Sequence, residues 1–132
     1  MGLDTRISIY EAIEKMRGRP LIVYVTSTRP NVNGLMCQDV IPEIIDQMRL
    51  LPSGCGKVDI LVVSLGGDPM VALRVMTIIR ETVREVGVIV PHSAFSAATL
   101  LALGADEIVM HPCANLGPVD LQIQVKRGQG ST

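Results

Sequence analysis

Apolar residues in this chain fall into two patterns: short unbroken runs and stripes at helical spacing. The runs at residues 21–26, 58–64, 88–90 and 107–110 are rich in Val, Ile and Leu and read as four strands, buried where apolar residues follow one another without alternation. Ser8 and Glu11 have capping-box spacing, and Ile9, Ala12, Ile13 and Met16 follow at helical intervals, which predicts a helix over 8–17 ended by Gly18 and Pro20. Residues 29–34 hold Pro30, Asn31, Asn33 and Gly34, the chemistry of a loop. Asp39 is placed to cap a second helix with core face Ile41, Ile44, Ile45 and Met48. Asp68 with Pro69 opens a third, striped by Ala72, Val75, Met76, Ile79 and Val83 and broken by Gly87. A fourth runs from Ser96 to Leu103 and stops at Gly104, and the segment from His111 onward carries little core.

Strands alternating with helices predict an α/β layered fold with a mainly parallel sheet, and 132 residues are enough for one domain with a real core. The chain is 48% hydrophobic and 19% charged, with a mean hydropathy of +0.38. So much aliphatic surface predicts a homo-oligomer, with the Leu35-Met36 step and the second helix as candidate contacts. A net charge of −1 and 2% aromatic content argue against nucleic acid, which asks for a basic field and stacking surfaces. Residues 86–105 carry no formal charge, but Pro91 interrupts them and no membrane span is expected; no secretory signal stands at the start, and a cytoplasmic protein is the expectation.

Two strand ends then acquire chemical interest. In a parallel sheet the carboxyl ends of the strands share an edge, so the turn at Gly66-Gly67 and the turn at Ser96 can meet there. A glycine pair exposes backbone N–H groups suited to an anion, and a serine opening a helix carries its hydroxyl in a positive field. Small Ala97 and Ala98 after Ser96 allow close approach of a substrate backbone. Taken singly each feature is common: glycine pairs build ordinary tight turns and serine caps ordinary helices, a task Ser93 can also fill. A dinucleotide site is disfavoured by the absence of G-x-G-x-x-G, and a phosphate loop by the absence of Gly-Lys-Ser/Thr. No cofactor is expected. Cys37, Cys55 and Cys113 are odd in number and read as reduced thiols, and His111 with Cys113 alone does not make a metal site. His92 and His111 are the only histidines, and spacing brings neither to Ser96.

The ordered set of these motifs resembles the serine dehydrogenase proteinase family, a branch of the Clp protease/crotonase superfamily close to the signal peptide peptidase A group. The residues that carry it are Val58-Asp59-Ile60 leading to Gly66-Gly67, Val90-Pro91, Phe95-Ser96-Ala97-Ala98-Thr99-Leu100, then Leu103 to Met110, and Leu116-Gly117-Pro118-Val119-Asp120. The resemblance implies a ClpP/crotonase-like ββα superhelix, rings or stacked oligomers, and a serine peptidase acting on a peptide or protein substrate. It casts Ser96 as nucleophile and Gly66, Gly67 and the N–H of Ala97 as the oxyanion hole.

Three departures shape the expectation. Leu65 stands where the family usually has proline, and Ala98 where it usually has glycine. Signal peptide peptidase A-like members draw a catalytic lysine from well beyond the nucleophile, and the chain reads as a single domain lacking C-terminal elements of the family. Asp120 lies nearest the position where Clp proteases carry their histidine, and Lys126 is the other base candidate. The expectation is a nucleophile and oxyanion hole without a complete dyad, hydrolysing peptides slowly or not at all. The alternatives are a catalytically silent oligomeric scaffold of the same fold and a crotonase-type acyl-CoA enzyme.

Overall fold

The computed structural model describes residues 2–119. Helix α1 (Leu3–Arg17) leads into β1 (Leu21–Val25), followed by α2 (Val40–Arg49), β2 (Lys57–Val63), α3 (Pro69–Thr82) and β3 (Glu85–Val90). Then come β4 (Ser93–Ala94), α4 (Ala97–Leu103), β5 (Glu107–Met110) and β6 (Asn115–Leu116). Strands β1, β2, β3 and β5 form a parallel sheet in that order, each consecutive pair linked through a helix. Both faces of β2 are buried, with Val58, Ile60 and Val62 inaccessible, as expected of a central strand in a parallel sheet. Strands β4 and β6 form a second, parallel pair, Ser93 opposite Asn115 and Ala94 opposite Leu116. This pairing was not foreseen, because two-residue strands leave no periodicity to read.

The core-facing stripes fall where helical spacing put them. Ala72, Val75, Met76, Ile79 and Val83 are buried along and just beyond α3, and Ile41, Ile44 and Met48 along α2. Asp68 caps α3, its Oδ1 accepting from Met70 N–H at 2.9 Å, with Pro69 as the first helical residue. Four local expectations differ, the first being the Asp39 cap: Asp39 stands at the N-cap position of α2, but its side chain makes no cap hydrogen bond. Helix α1 begins at Leu3, not Ser8, whose hydroxyl instead donates back to the Asp4 carbonyl at 3.0 Å inside the helix. Its apolar stripe is outward: Ile9 is 44% and Met16 84% exposed, and no residue of α1 is buried. Gly87 does not break a helix; it lies within β3, paired with Asp59 on β2.

Gly87 has a packing reason. A Cβ there would collide with the Asp59 carboxylate and come within 3.2 Å of Arg17 Nη2. Asp59 is 1% exposed on the central strand, and Arg17 at the end of α1 reaches over the glycine to grip it with two hydrogen bonds of 2.8 and 3.2 Å. Arg17 also donates to Glu107 at 2.8 Å, and these bonds raise its pKa. Arg19, 9% exposed, stands 3.5 Å from Asp59 and adds charge rather than a hydrogen bond. Helix α1 is thus fastened to the amino-terminal edge of the sheet by ion pairs more than by apolar contact.

Candidate active site

At the opposite edge, the carboxyl ends of β2 and β3 bring the two turns together. A parallel bridge joins Ser64 to Ala94, with Ser64 N–H donating to the Ser93 carbonyl and Phe95 N–H to the Ser64 carbonyl, both at 3.0 Å. The chain after β2 therefore runs beside the chain after β3 for another step. Gly66 then passes so close to Ser96 that a Cβ on it would lie 2.7 Å from Ser96 Cβ, 2.6 Å from the Phe95 carbonyl oxygen and 3.1 Å from Ala97 N. Its φ of +101° is a second reason for glycine. A third strand of chain closes the other side: Met36, fully buried, donates to the Gly66 carbonyl at 2.8 Å and accepts from Asp68 N–H at 2.9 Å. A Cβ on Gly67 (φ +157°) would run into the Met36 backbone. Met36, expected at a surface contact between subunits, is instead the wall behind the glycine pair.

Ser96 opens α4 with φ 52° and ψ −119°, a conformation that residues with a Cβ rarely adopt. It is half-buried and makes no cap hydrogen bond, so its hydroxyl is not spent on ordinary capping. The turn is held in place from behind: Ala97, Ala98 and Thr99 are buried, and Ala98 N–H donates to the Phe95 carbonyl at 3.0 Å. Ala98 is buried within the core cluster, and Leu65 is an exposed residue.

The backbone donors around Ser96 differ in their commitments. Gly66 N–H donates to Ser64 Oγ at 3.1 Å, and Ser64 Oγ is also bonded to Thr26 Oγ1 at 2.8 Å. In the bridge between Met36 and Gly67, the bonds run to the neighbours of Gly67, so its own N–H faces away from Met36. Among the described residues, neither Gly67 N–H nor Ala97 N–H has an acceptor. Two N–H groups without an acceptor among the described residues thus lie on the two turns that meet at Gly66 and Ser96, and donors of that kind can hold an oxyanion.

No base candidate meets Ser96 among the described residues. His92 Nδ1 is 2.6 Å from Ser93 Oγ, and His111 Nδ1 accepts from Cys113 N–H at 3.1 Å; both bonds are local. Asp120 and Lys126 lie outside the described residues. The chain does reach the site just before them: Gly117 packs on the Phe95 ring, where a Cβ would clash, and its N–H donates to the Ala94 carbonyl at 2.9 Å. Buried Thr99 adds a tie, its hydroxyl 2.7 Å from the Ala94 carbonyl and 3.2 Å from that of Gly117. Sequence reasoning passed over Ser64 and Thr26 and gave Met36 a different role, that of a subunit contact. For Ser64 the available signal was a hydroxyl following the apolar run Ile60–Val63, two residues before the glycine pair. Met36 gave none, since its role depends on a long loop folding back. Among the described residues no group of three His, Cys, Asp or Glu could hold a metal ion, and no helix is long and apolar enough to cross a membrane.

Comparison with known proteins agrees with this fold. The family described as ClpP-like SDH-type serine proteinase matches the chain over residues 32–129. Over 81 residues the chain is 37% identical to the uncharacterized protein MJ1495 and 38% identical to the uncharacterized protein MJ0137, both of Methanocaldococcus jannaschii. Each match takes in 61% of this chain but only 27% and 28% of those proteins. Among solved structures, the ClpP protease catalytic domain from Plasmodium falciparum aligns with a TM-score of 0.54 at 19% identity, covering 80% of this chain and 50% of that one. ClpP1 from Listeria monocytogenes aligns with a TM-score of 0.50 at 19% identity, covering 74% and 51%. At such identity the likeness speaks for the fold, a ClpP-like α/β architecture with a mainly parallel sheet. With the family match spanning most of its length, the chain belongs to the ClpP-like SDH-type serine proteinases.

Proposed function

We propose that this chain carries the acyl-transfer half of a serine peptidase site. Ser96 Oγ attacks a peptide carbonyl, the C–O bond forms as the carbonyl π bond opens, and the oxyanion settles between the N–H groups of Gly67 and Ala97. A base takes the hydroxyl proton and returns it to the leaving amine, giving an acyl-enzyme that water then hydrolyses. Asp120 and Lys126 are the proposed sources of that base, and Gly66 serves by letting the two turns approach. The observation that carries the reading is the backbone of Ser96, strained, uncapped and pressed against a glycine that tolerates no side chain. A crotonase-type thioester site would use the same N–H pair but would not need the strained hydroxyl. Slow turnover or none is proposed, because a lone carboxylate is a feeble base towards a serine hydroxyl.

A homo-oligomer is proposed with it, because Met70, Leu73 and Leu103 on α3 and α4 are each more than half exposed. The test of function compares the chain with its Ser96→Ala, Asp120→Ala and Lys126→Ala variants. A fluorophosphonate probe should label the parent chain and not Ser96→Ala. Peptide hydrolysis, where detectable, should fall with Ser96→Ala and with whichever variant removes the base. Labelling that persists in Ser96→Ala would sink the nucleophile assignment, and CoA-thioester binding without labelling would favour the crotonase-type alternative.

A further inference from the structure

We infer that Ser64 is a positioning residue that decides which glycine of the pair serves as oxyanion donor, a conclusion resting on the site proposed above. A glycine pair offers two N–H groups on soft backbone, and a hole built from an unselected pair would wander between them. Ser64 removes that freedom. Its side chain is fully buried at the end of the central strand, and its Oγ lies 3.1 Å from Gly66 N as acceptor. The Gly66 N–H is therefore turned inward and withdrawn from any substrate. With that peptide fixed and Met36 holding the Gly66 carbonyl and the Asp68 N–H, the Gly67 N–H is the one left open, on the side away from Met36. Ala97 N supplies the partner donor across the Gly66 contact.

The hydroxyl of Ser64 is itself held. Thr26, just beyond β1, lies 2.8 Å away through Oγ1, and its N–H donates to the Val63 carbonyl at 2.8 Å, extending the parallel ladder past β1. The orientation of the hole is thus passed from the ladder, through two hydroxyls, to the glycine turn. Three adjacent strand ends take part, those of β1, β2 and β3, so the turn is set by the sheet rather than by its own sequence. Preorganised donors of this kind owe their effect to not having to move when charge develops.

The experiment reads the backbone amides directly. The chain is isotopically labelled, and the amide resonances of Gly66, Gly67 and Ala97 are followed as a peptide boronic acid is added. Gly67 and Ala97 should shift downfield and lose exchange with water, while Gly66 should already be protected in the free protein and stay unmoved. Ser64→Ala should release Gly66 to exchange and lower the rate of fluorophosphonate labelling at Ser96 by at least about tenfold. Ser64→Thr should restore both, and Thr26→Val should fall between. A Gly66 amide that shifts with the boronate, or Ser64→Ala labelling at the parental rate, overturns the inference. Should the boronate and the probe both fail on the parent chain, the peptidase reading falls. The inference about Ser64 is then still decided by exchange: a Gly66 amide no better protected than that of Gly67 refutes it. The parent chain's amides supply that readout even where a variant does not fold.

Discussion

Gly66 and Ser96 are packed so that any side chain on the first would occupy the space of the second: a Cβ on Gly66 falls 2.7 Å from Ser96 Cβ. Thirty residues of chain separate them, and the contact exists because β2 and β3 are parallel neighbours whose ends continue side by side. Gly66→Ala is expected to cost roughly 2–4 kcal/mol, combining strain at φ +101° with a clash against the Phe95 carbonyl. Urea unfolding measures it, and the same variant should lose fluorophosphonate labelling. A variant of parental stability would mean that the turns are looser than the structure has them.

Ser96 invites a paired comparison. Its φ of 52° is unfavourable for a side chain, so Ser96→Gly should unfold at higher denaturant than Ser96→Ala, by about 1 kcal/mol. Both variants should be unreactive. The alanine variant proving the more stable would remove the argument from strain.

At the far edge, Arg17→Met strands the Asp59 carboxylate with only Arg19 near it. A loss of about 3–5 kcal/mol is expected, since a buried charge deprived of its partner is far more costly than the pair is favourable. Pairing it with Asp59→Leu should recover part of that loss in a double-mutant cycle of thermal or urea melts. Equal loss in the single and double variants would contradict it.

Acid should weaken the fold through two surface carboxylates. The Val86 N–H, with Arg80, holds Asp106 below its ordinary pKa, and the hydrogen bond from Arg17 does the same for Glu107. A carboxylate whose folded pKa is depressed stabilises above its unfolded pKa, and that contribution is lost as pH falls through the folded value. Stability should therefore decline below the ordinary carboxylate range. The decline should be shallower in Asp106→Asn and Glu107→Gln, as read from urea midpoints between neutral and acidic pH. Parallel curves for variants and parent would refute the linkage.

What was legible in the sequence, and what was not, follows the range of the interactions. The α3 stripe and its Asp68-Pro69 cap are local, and the structure has them where spacing put them. The Gly66-Gly67 and Ser96 turns were legible because strand order and parallel pairing are themselves written in alternating β and α segments. Gly87 was misread, because a glycine that makes room for Asp59 across the sheet looks in sequence like one that ends a helix. Helix α1 was legible from its apolar spacing, but its start at Leu3 and the outward facing of that stripe were not, since its anchors, Arg17 and Arg19, act across the sheet. Ser64 and Met36 act only through chain that is distant in sequence.

The location of that charged anchor has an evolutionary consequence. The sheet has two working ends, one where Arg17, Asp59 and Gly87 interlock and one where Ser64, Gly66 and Ser96 do. Changes at the second end can alter reactivity while the first goes on securing the fold, since perturbations at well-separated sites act nearly independently. On the function proposed above, a lineage on this scaffold would lose its chemistry through changes in a few turn residues without losing its shape. Silent and active members should then differ at the glycine and serine turns and keep the same arginine–aspartate lock.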